Sequence, residues 1–235
     1  MELVVNVTQT PSLTSQAVML LRNDIVRVNF AADERLNIES LKCRYEMGGT
    51  PVREALNQLV GERFVVALAL KGFRVAGQSI ELCRDLIRAR YLLELDLFKQ
   101  AMLFGDDAWE ARCVGEHFRF MKCENSILAS NSSSVDAWFG CHHDFFNALV
   151  SGANSYWLSG LYTNLLQHVE RYCYRVYCCK GFSEMLLLSA ADYKDVVASL
   201  VARDQAALEK SVAGLMEQVL HKINGIWLEV LAVEK

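Results

Sequence analysis

Few side chains in this chain could do chemistry. His142 and His143 stand side by side, Arg90 and Glu94 lie four residues apart, and Cys178 and Cys179 are adjacent. His142 with Glu94 could form an acid–base pair, and His142 could ligate a metal. Arg90 could grip a carboxylate with both prongs of its guanidinium fork. The rest of an enzyme is missing. There is no nucleophile–base spacing, no Gly-rich phosphate loop and no complete set of metal ligands. No CxxC pair occurs, which argues against a zinc ribbon or a thioredoxin-type site. A binding protein is expected rather than an enzyme.

Helical spacing decides where these groups point. Helices are expected at about 79–104, 106–129, 135–151, 154–179, 184–202 and 204–232, with Asn131-Ser132-Ser133-Ser134 as the clearest loop. In the first of them Cys83, Ile87, Arg90, Glu94, Leu97 and Ala101 share one face, so Arg90 and Glu94 point inward. Buried charges must be paired. Either the two hold each other, or Arg90 is kept for a ligand. Trp138, His142, Phe145 and Leu149 share an inner face, which makes His142 the interior histidine and His143 the solvated one. Arg171 and Arg175 fall in a polar row with Asn164 and His168, which reads as an exposed face.

The N-terminal third carries a different pattern. Thr50-Pro51-Val52-Arg53-Glu54-Ala55-Leu56-Asn57-Gln58-Leu59 reads as a short helix that starts sharply, with Thr50 as its cap and Pro51 in the first helical position. Val52, Ala55, Leu56, Leu59 and Val60 form its buried stripe, leaving Thr50, Arg53, Asn57 and Gln58 outward. A helix with such a face can enter the major groove of DNA. An amphipathic helix over 12–29 and a second over 39–46 precede it, and Gly48-Gly49 breaks the second. Residues 64–76 follow as two short strands with a turn at Lys71-Gly72. Three helices and a two-stranded wing are the order of a winged helix-turn-helix.

With these elements in place, residues 20–76 resemble the DNA-binding domain of the GntR family of bacterial transcription regulators. The matching residues are Leu21-Arg22, Ile25, Glu34-Arg35-Leu36, Leu41, Thr50 to Leu56, Leu59, Glu62 and Gly72 to Ala76. Residues 79–232 resemble the all-helical effector domain of the FCD subgroup. They do so through Asp85-Leu86, Ala89-Arg90, Leu93-Glu94, Gly105-Asp106, Trp109-Glu110, Phe145, Ala148-Leu149, Arg171-Tyr172 and Ala202-Arg203-Asp204. The Arg44-Tyr45 and Gly48-Gly49 details resemble the branch that includes glutarate-responsive repressors. The fold expected is mainly α: a winged helix-turn-helix over 1–77, then an all-α effector-binding and dimerisation bundle over 78–235.

The resemblance implies a repressor-type, effector-controlled DNA binder acting as a homodimer on a pseudo-palindromic operator. Arg53 would meet a guanine edge or a phosphate. Arg44 and Thr50 would hold the DNA backbone, Arg35 would add a cation to the DNA-binding face, and Lys71 and Gly72 at the wing would approach the minor groove. Many relatives carry Ser-Arg where this chain has Gly48-Gly49, so one base-reading arginine is expected to be absent. In the effector domain the resemblance places Arg90, His142, Arg171 and Tyr193 around a small organic acid. It also implies a divalent metal held by His142 and three histidines. Here the three positions hold Phe146, Tyr193 and Leu215, and His221 is displaced by six residues, so no metal cofactor is expected. The competing reading is a constitutive or partner-controlled DNA binder whose pocket takes nothing.

Composition fits. The net charge is −4, yet residues 1–76 hold nine Lys/Arg against eight Asp/Glu. DNA binding should therefore depend on local placement of cations rather than on bulk attraction. No apolar run long enough for a membrane span appears, nor a basic stretch followed by an apolar block, so a cytoplasmic protein without a signal peptide is expected. Cys83, Cys113 and Cys173 fall at apolar helical positions and read as small buried hydrophobes in a reducing compartment.

Overall fold

The computed structural model describes residues 12–130 and 134–231. Most of the expected loop at 131–134 lies outside them. The chain divides into two compact units after Gly77.

The first unit holds α1 (Leu13–Val26), β1 (Arg35–Leu36), α2 (Ile38–Tyr45), α3 (Gly49–Gly61), β2 (Val65–Leu68) and β3 (Gly72–Val75). Its core is the shared apolar side of α1 and α3: Ala17, Leu21 and Ile25 against Val52, Ala55, Leu56 and Leu59, all fully buried. Burying a large aliphatic side chain is worth about 1.5–3 kcal/mol, so this stripe is what holds a unit so small together. Val60 is only half-buried. Arg22 closes the far end of the stripe with a two-pronged ion pair to Glu62, 2.6 Å at its shortest. The wing has three strands, not two. Arg35 and Leu36 pair antiparallel with Arg74 and Phe73, and β2 pairs with β3 on the other side.

Two expected helix ends move. α2 stops at Tyr45 because Glu46 takes a left-handed conformation (φ 54°), before the glycines are reached. α3 then starts at Gly49 with Gly48 as its cap, so Thr50 is not the cap and Pro51 is the third helical residue. The cost is small, because no N–H of the first turn has an intrahelical partner and a proline there forfeits nothing.

The second unit is helical: α4 (Ile80–Phe104), α5 (Asp107–Ser130), α6 (Val135–Val150), α7 (Tyr156–Lys180), α8 (Phe182–Met185), a 3-10 turn (Ala190–Tyr193), α9 (Lys194–Val201), α10 (Gln205–Lys222), a π turn (Ile223–Trp227) and α11 (Leu228–Leu231). Its helix starts follow from side chains that accept orphan N–H groups. Ser79, Ser134, Ser155 and Asp204 do this for α4, α6, α7 and α10. Arg203 sits in a left-handed conformation (φ 52°) and gives its guanidinium to the carbonyls of Met102 and Gly105 and to Glu110. It thereby closes the C-terminal end of α4 onto α5. Cys83, Cys113 and Cys173 are buried, and Cys178 and Cys179 are exposed.

The expected single helix over 184–202 is broken. Leu186, Leu187 and Leu188 are all buried in a row. A helix turns successive side chains 100° apart, so it buries three in line only where it is covered on several sides, whereas an extended segment does so without that. Two carbonyls at the end of α8 and the start of the break accept from side chains far along the chain. Lys222 reaches the Leu186 carbonyl (3.2 Å) and the Trp227 indole reaches the Glu184 carbonyl (3.1 Å). Ser189 and Asp192 restart the chain with a reciprocal capping box.

Candidate functional site

In the first unit, the expected DNA residues Arg35, Arg44, Thr50, Arg53, Lys71 and Gly72 are all exposed. Arg53 stands on the outer side of α3, and among the described residues it has no ion-pair partner. Its neighbour Glu54 is held by the Thr14 hydroxyl (2.7 Å). Arg44 is anchored rather than free: its Nε donates to Asp24 (2.8 Å) and its guanidinium lies 5.0 Å over the Phe30 ring. Asp24 also accepts from Tyr45 (2.6 Å) and Asn29 (2.9 Å). Burial works against its charge, but these three donors outweigh it and hold its carboxyl below the usual range. The outer N–H groups of Arg44 are thus fixed in one orientation, which lowers the entropy lost on gripping a phosphate. Gly48 and Gly49 each have room for a Cβ, so packing does not demand the loss of the Ser-Arg pair.

In the second unit, Arg90 and Glu94 are buried and face each other. Arg90 Nε and Nη2 both donate to Glu94 Oε1, at 3.1 and 2.7 Å, and the Tyr162 hydroxyl donates to the same oxygen at 2.8 Å. Burial alone would lower the pKa of Arg90, and the Glu94 carboxylate more than reverses this. The mutual pair read as one alternative from the sequence is therefore formed. The edge of Arg90 that would clasp a carboxylate is in use.

A cavity of about 50 Å³ opens against this pair. Arg90, Glu94, Tyr193, Leu215 and the broken segment's Leu187 and Leu188 line it. Three of the sequence-expected positions, Arg90, Tyr193 and Leu215, are brought together here. Phe146, His142 and Arg171 are not on this wall. Phe146 is fully buried and contacts both: the Arg90 guanidinium sits 4.4 Å over its ring, and the centroid of the His142 ring is 4.6 Å from its own. Burial pushes the Tyr193 phenol up, keeping it a neutral donor, although the Arg90 charge pulls the other way.

His142 instead meets Glu170, at 3.7 Å, and His143 meets the same oxygen at 3.5 Å. His143 is half-buried rather than solvated. Burial lowers the pKa of His142, whereas contact with Glu170 raises that of His143. Burial opposes the charge on Glu170, but the two imidazoles hold its carboxyl down. Among the described residues no three His, Cys, Asp or Glu side chains are grouped to hold a metal ion. Phe146 and Leu215, two of the positions weighed for metal ligation, carry no donor atom in their side chains.

Arg171 corrects the sequence reading. It is 3% exposed, and Arg175 is buried too. Every residue from Val169 to Val176 is buried, so α7 is surrounded on all sides there and has no solvated face for periodicity to reveal.

Sequence reasoning missed Glu124, His117, Tyr162 and Glu170. Glu124 accepts from the Ala190 N–H (3.0 Å) and His117 Nε2 donates to the Ala190 carbonyl (2.8 Å). They pin the turn that delivers Tyr193 to the cavity. Burial pushes the Glu124 carboxyl up. A signal for both existed: Cys113, His117, Phe120, Glu124 and Ile127 form one helical stripe, and all are buried.

No helix among the described residues is long and apolar enough to cross a membrane. Residues 13–75 match the family described as "Bacterial regulatory proteins, gntR family", and residues 85–218 match the FCD domain. The chain is 35% identical over 187 residues to the HTH-type transcriptional repressor GlaR of Escherichia coli strain K12, a match spanning 79% of this chain and 84% of GlaR. It is 37% identical over 161 residues to the uncharacterized HTH-type transcriptional regulator BphR of Paraburkholderia xenovorans strain LB400, spanning 68% of this chain and 66% of BphR. The fold is similar to that of E. coli McbR/YncC, with a TM-score of 0.75 at 19% identity over 93% of this chain and all of that one. A winged helix-turn-helix with an exposed Arg53 helix, followed by an FCD bundle, makes this chain a member of the GntR family of DNA-binding transcription regulators.

Proposed function

We propose that this regulator reads a pseudo-palindromic operator as a homodimer and that its FCD unit senses a small organic acid without a metal. The supporting observation is the cavity: Arg90, Tyr193 and Leu215 share its wall although they come from distant parts of the chain. The effector's carboxylate competes with Glu94 for the Arg90 fork. A ligand shifts a protein only through different affinities for two arrangements. Arg90 held by Glu94 and Arg90 held by the effector are two such arrangements. The broken segment 186–189, which carries Leu187 and Leu188 into the cavity wall, is placed to follow the exchange.

On the DNA side, Arg53→Ala should weaken operator binding by about 1–3 kcal/mol, roughly 5- to 150-fold in Kd. Fluorescence anisotropy on the protein's own promoter DNA would read this, with circular dichroism confirming the fold. An unchanged Kd would remove Arg53 from the reading face.

For the effector, a thermal-shift series with C4–C6 organic acids should raise Tm for the wild type, and more strongly for Glu94→Gln, in which Arg90 is released. At a ligand concentration of about 100 Kd the gain is about 2.7 kcal/mol. Treatment with EDTA should leave the response intact. A response seen only with added zinc or nickel would overturn the metal-free reading. The hydrogen bonds that Arg90 and Tyr162 both give to Glu94 also favour a second reading, in which the bundle senses nothing and a partner or no signal controls DNA binding. That reading gains if no acid stabilises either protein.

A further inference from the structure

Leu70 stands alone at the end of the wing. The hairpin turn is closed by the Lys71 N–H on the Leu68 carbonyl (3.0 Å), which puts Leu70 in the third position of a four-residue turn with φ 60°. Glycine or asparagine normally fills that position, because a side chain with φ above zero crowds its own backbone. The Leu70 side chain is 107% exposed, so it touches nothing in its own unit. The fold gains neither packing nor turn geometry from a leucine here. Lys71 follows it in the turn, and farther along the same sheet Arg35 and Arg74 stand directly opposite each other across β1 and β3, Arg74 donating to the Asp33 carbonyl (2.7 Å). Like charges paired across strands repel. Their exposed placement on one small sheet suits a polyanion.

We propose that Leu70 is an apolar probe of the DNA minor groove that favours A·T pairs beneath the wing, an inference that rests on the wing meeting the operator as read above. In the minor groove an A·T pair shows only acceptors, whereas a G·C pair adds the guanine 2-amino donor. A leucine pressed over that amino group strips it of water and offers no acceptor, which penalises G·C. Over A·T no donor is orphaned. Lys71 holds the neighbouring phosphates and carries no such discrimination.

The test is selection from a random duplex pool with the full-length wild type and with Leu70→Asn, at one salt concentration. Asparagine tolerates the left-handed turn, so the Tm of Leu70→Asn should not fall. The wild type should enrich A·T at positions flanking each half-site, and Leu70→Asn should leave those positions flat while keeping the same central half-sites. On a selected site, exchanging flanking A·T for G·C should weaken the wild type about tenfold and the variant little. Exchanging it for inosine·C, which lacks the 2-amino group, should restore the wild type. The proposal is overturned if Leu70→Asn keeps the A·T preference, if the wild type has none, or if inosine·C binds like G·C. Failure of the underlying DNA reading looks different: neither protein would enrich any half-site.

Discussion

Arg90→Met is expected to destabilise the FCD unit by about 3–5 kcal/mol, because it leaves the buried Glu94 carboxylate with only the Tyr162 hydroxyl for compensation. The pair is worth much less than that figure suggests. Most of the loss is the penalty for an orphaned charge rather than the strength of the bond removed. The double variant Arg90→Met/Glu94→Leu should therefore recover most of the stability, since two packed apolar side chains can replace a buried ion pair at little cost. Urea unfolding of both variants checks this. A single variant losing less than about 1 kcal/mol would mean that water or movement already solvates Glu94, and the cavity described above would be wetter than its lining suggests. The double variant should still bind DNA but no longer answer to a carboxylate, which separates sensing from folding.

The second large effect is expected at Gly105. A Cβ built there would lie 2.2 Å from Trp109 Cε3 and 2.6 Å from the Ala101 carbonyl oxygen. The backbone at Gly105 is ordinary (φ −67°, ψ 147°), so the obstacle is contact and not torsion. Trp109 cannot step aside. Its indole donates to the Ala148 and Leu149 carbonyls, at 3.0 and 3.3 Å, and a Cβ at Gly152 would already lie 3.0 Å from the same ring. Gly105→Ala should cost about 3 kcal/mol, at the upper end for overpacking, and lower Tm accordingly. Gly115→Ala is the control. A Cβ there meets nothing and α5 gains a better helix former, so it should stabilise by roughly 0.5–1 kcal/mol. Equal effects at the two sites would sink the contact explanation.

Much of the candidate site was legible before any coordinates. Arg90 and Glu94 were placed inside by spacing alone, because one buried stripe on a long helix leaves little choice. The exposed face of α3 was legible for the same reason. His142 was placed inward, where its ring and the Arg90 guanidinium both contact Phe146. Arg171 was misread because α7 is buried all round at that level, and a polar row carries no mark distinguishing solvent from paired neighbours. Glu170, Tyr162 and Glu124 act only through partners far along the chain, such as the 68 residues between Glu94 and Tyr162.

The sequence by itself determined the family, the succession of the N-terminal helices and wing, and the inward side of helices with a single buried stripe, such as α3 and α4. These are short-range properties: capping residues, turn residues and apolar period act within a few positions of one another. Tertiary structure alone decided what shares a cavity, which charge Arg90 meets, and that the chain breaks at Leu186–Ser189 instead of continuing as a helix. Those outcomes depend on contacts between segments distant in sequence, where burial of three successive leucines and the Lys222 hydrogen bond to the Leu186 carbonyl outweigh local helix propensity.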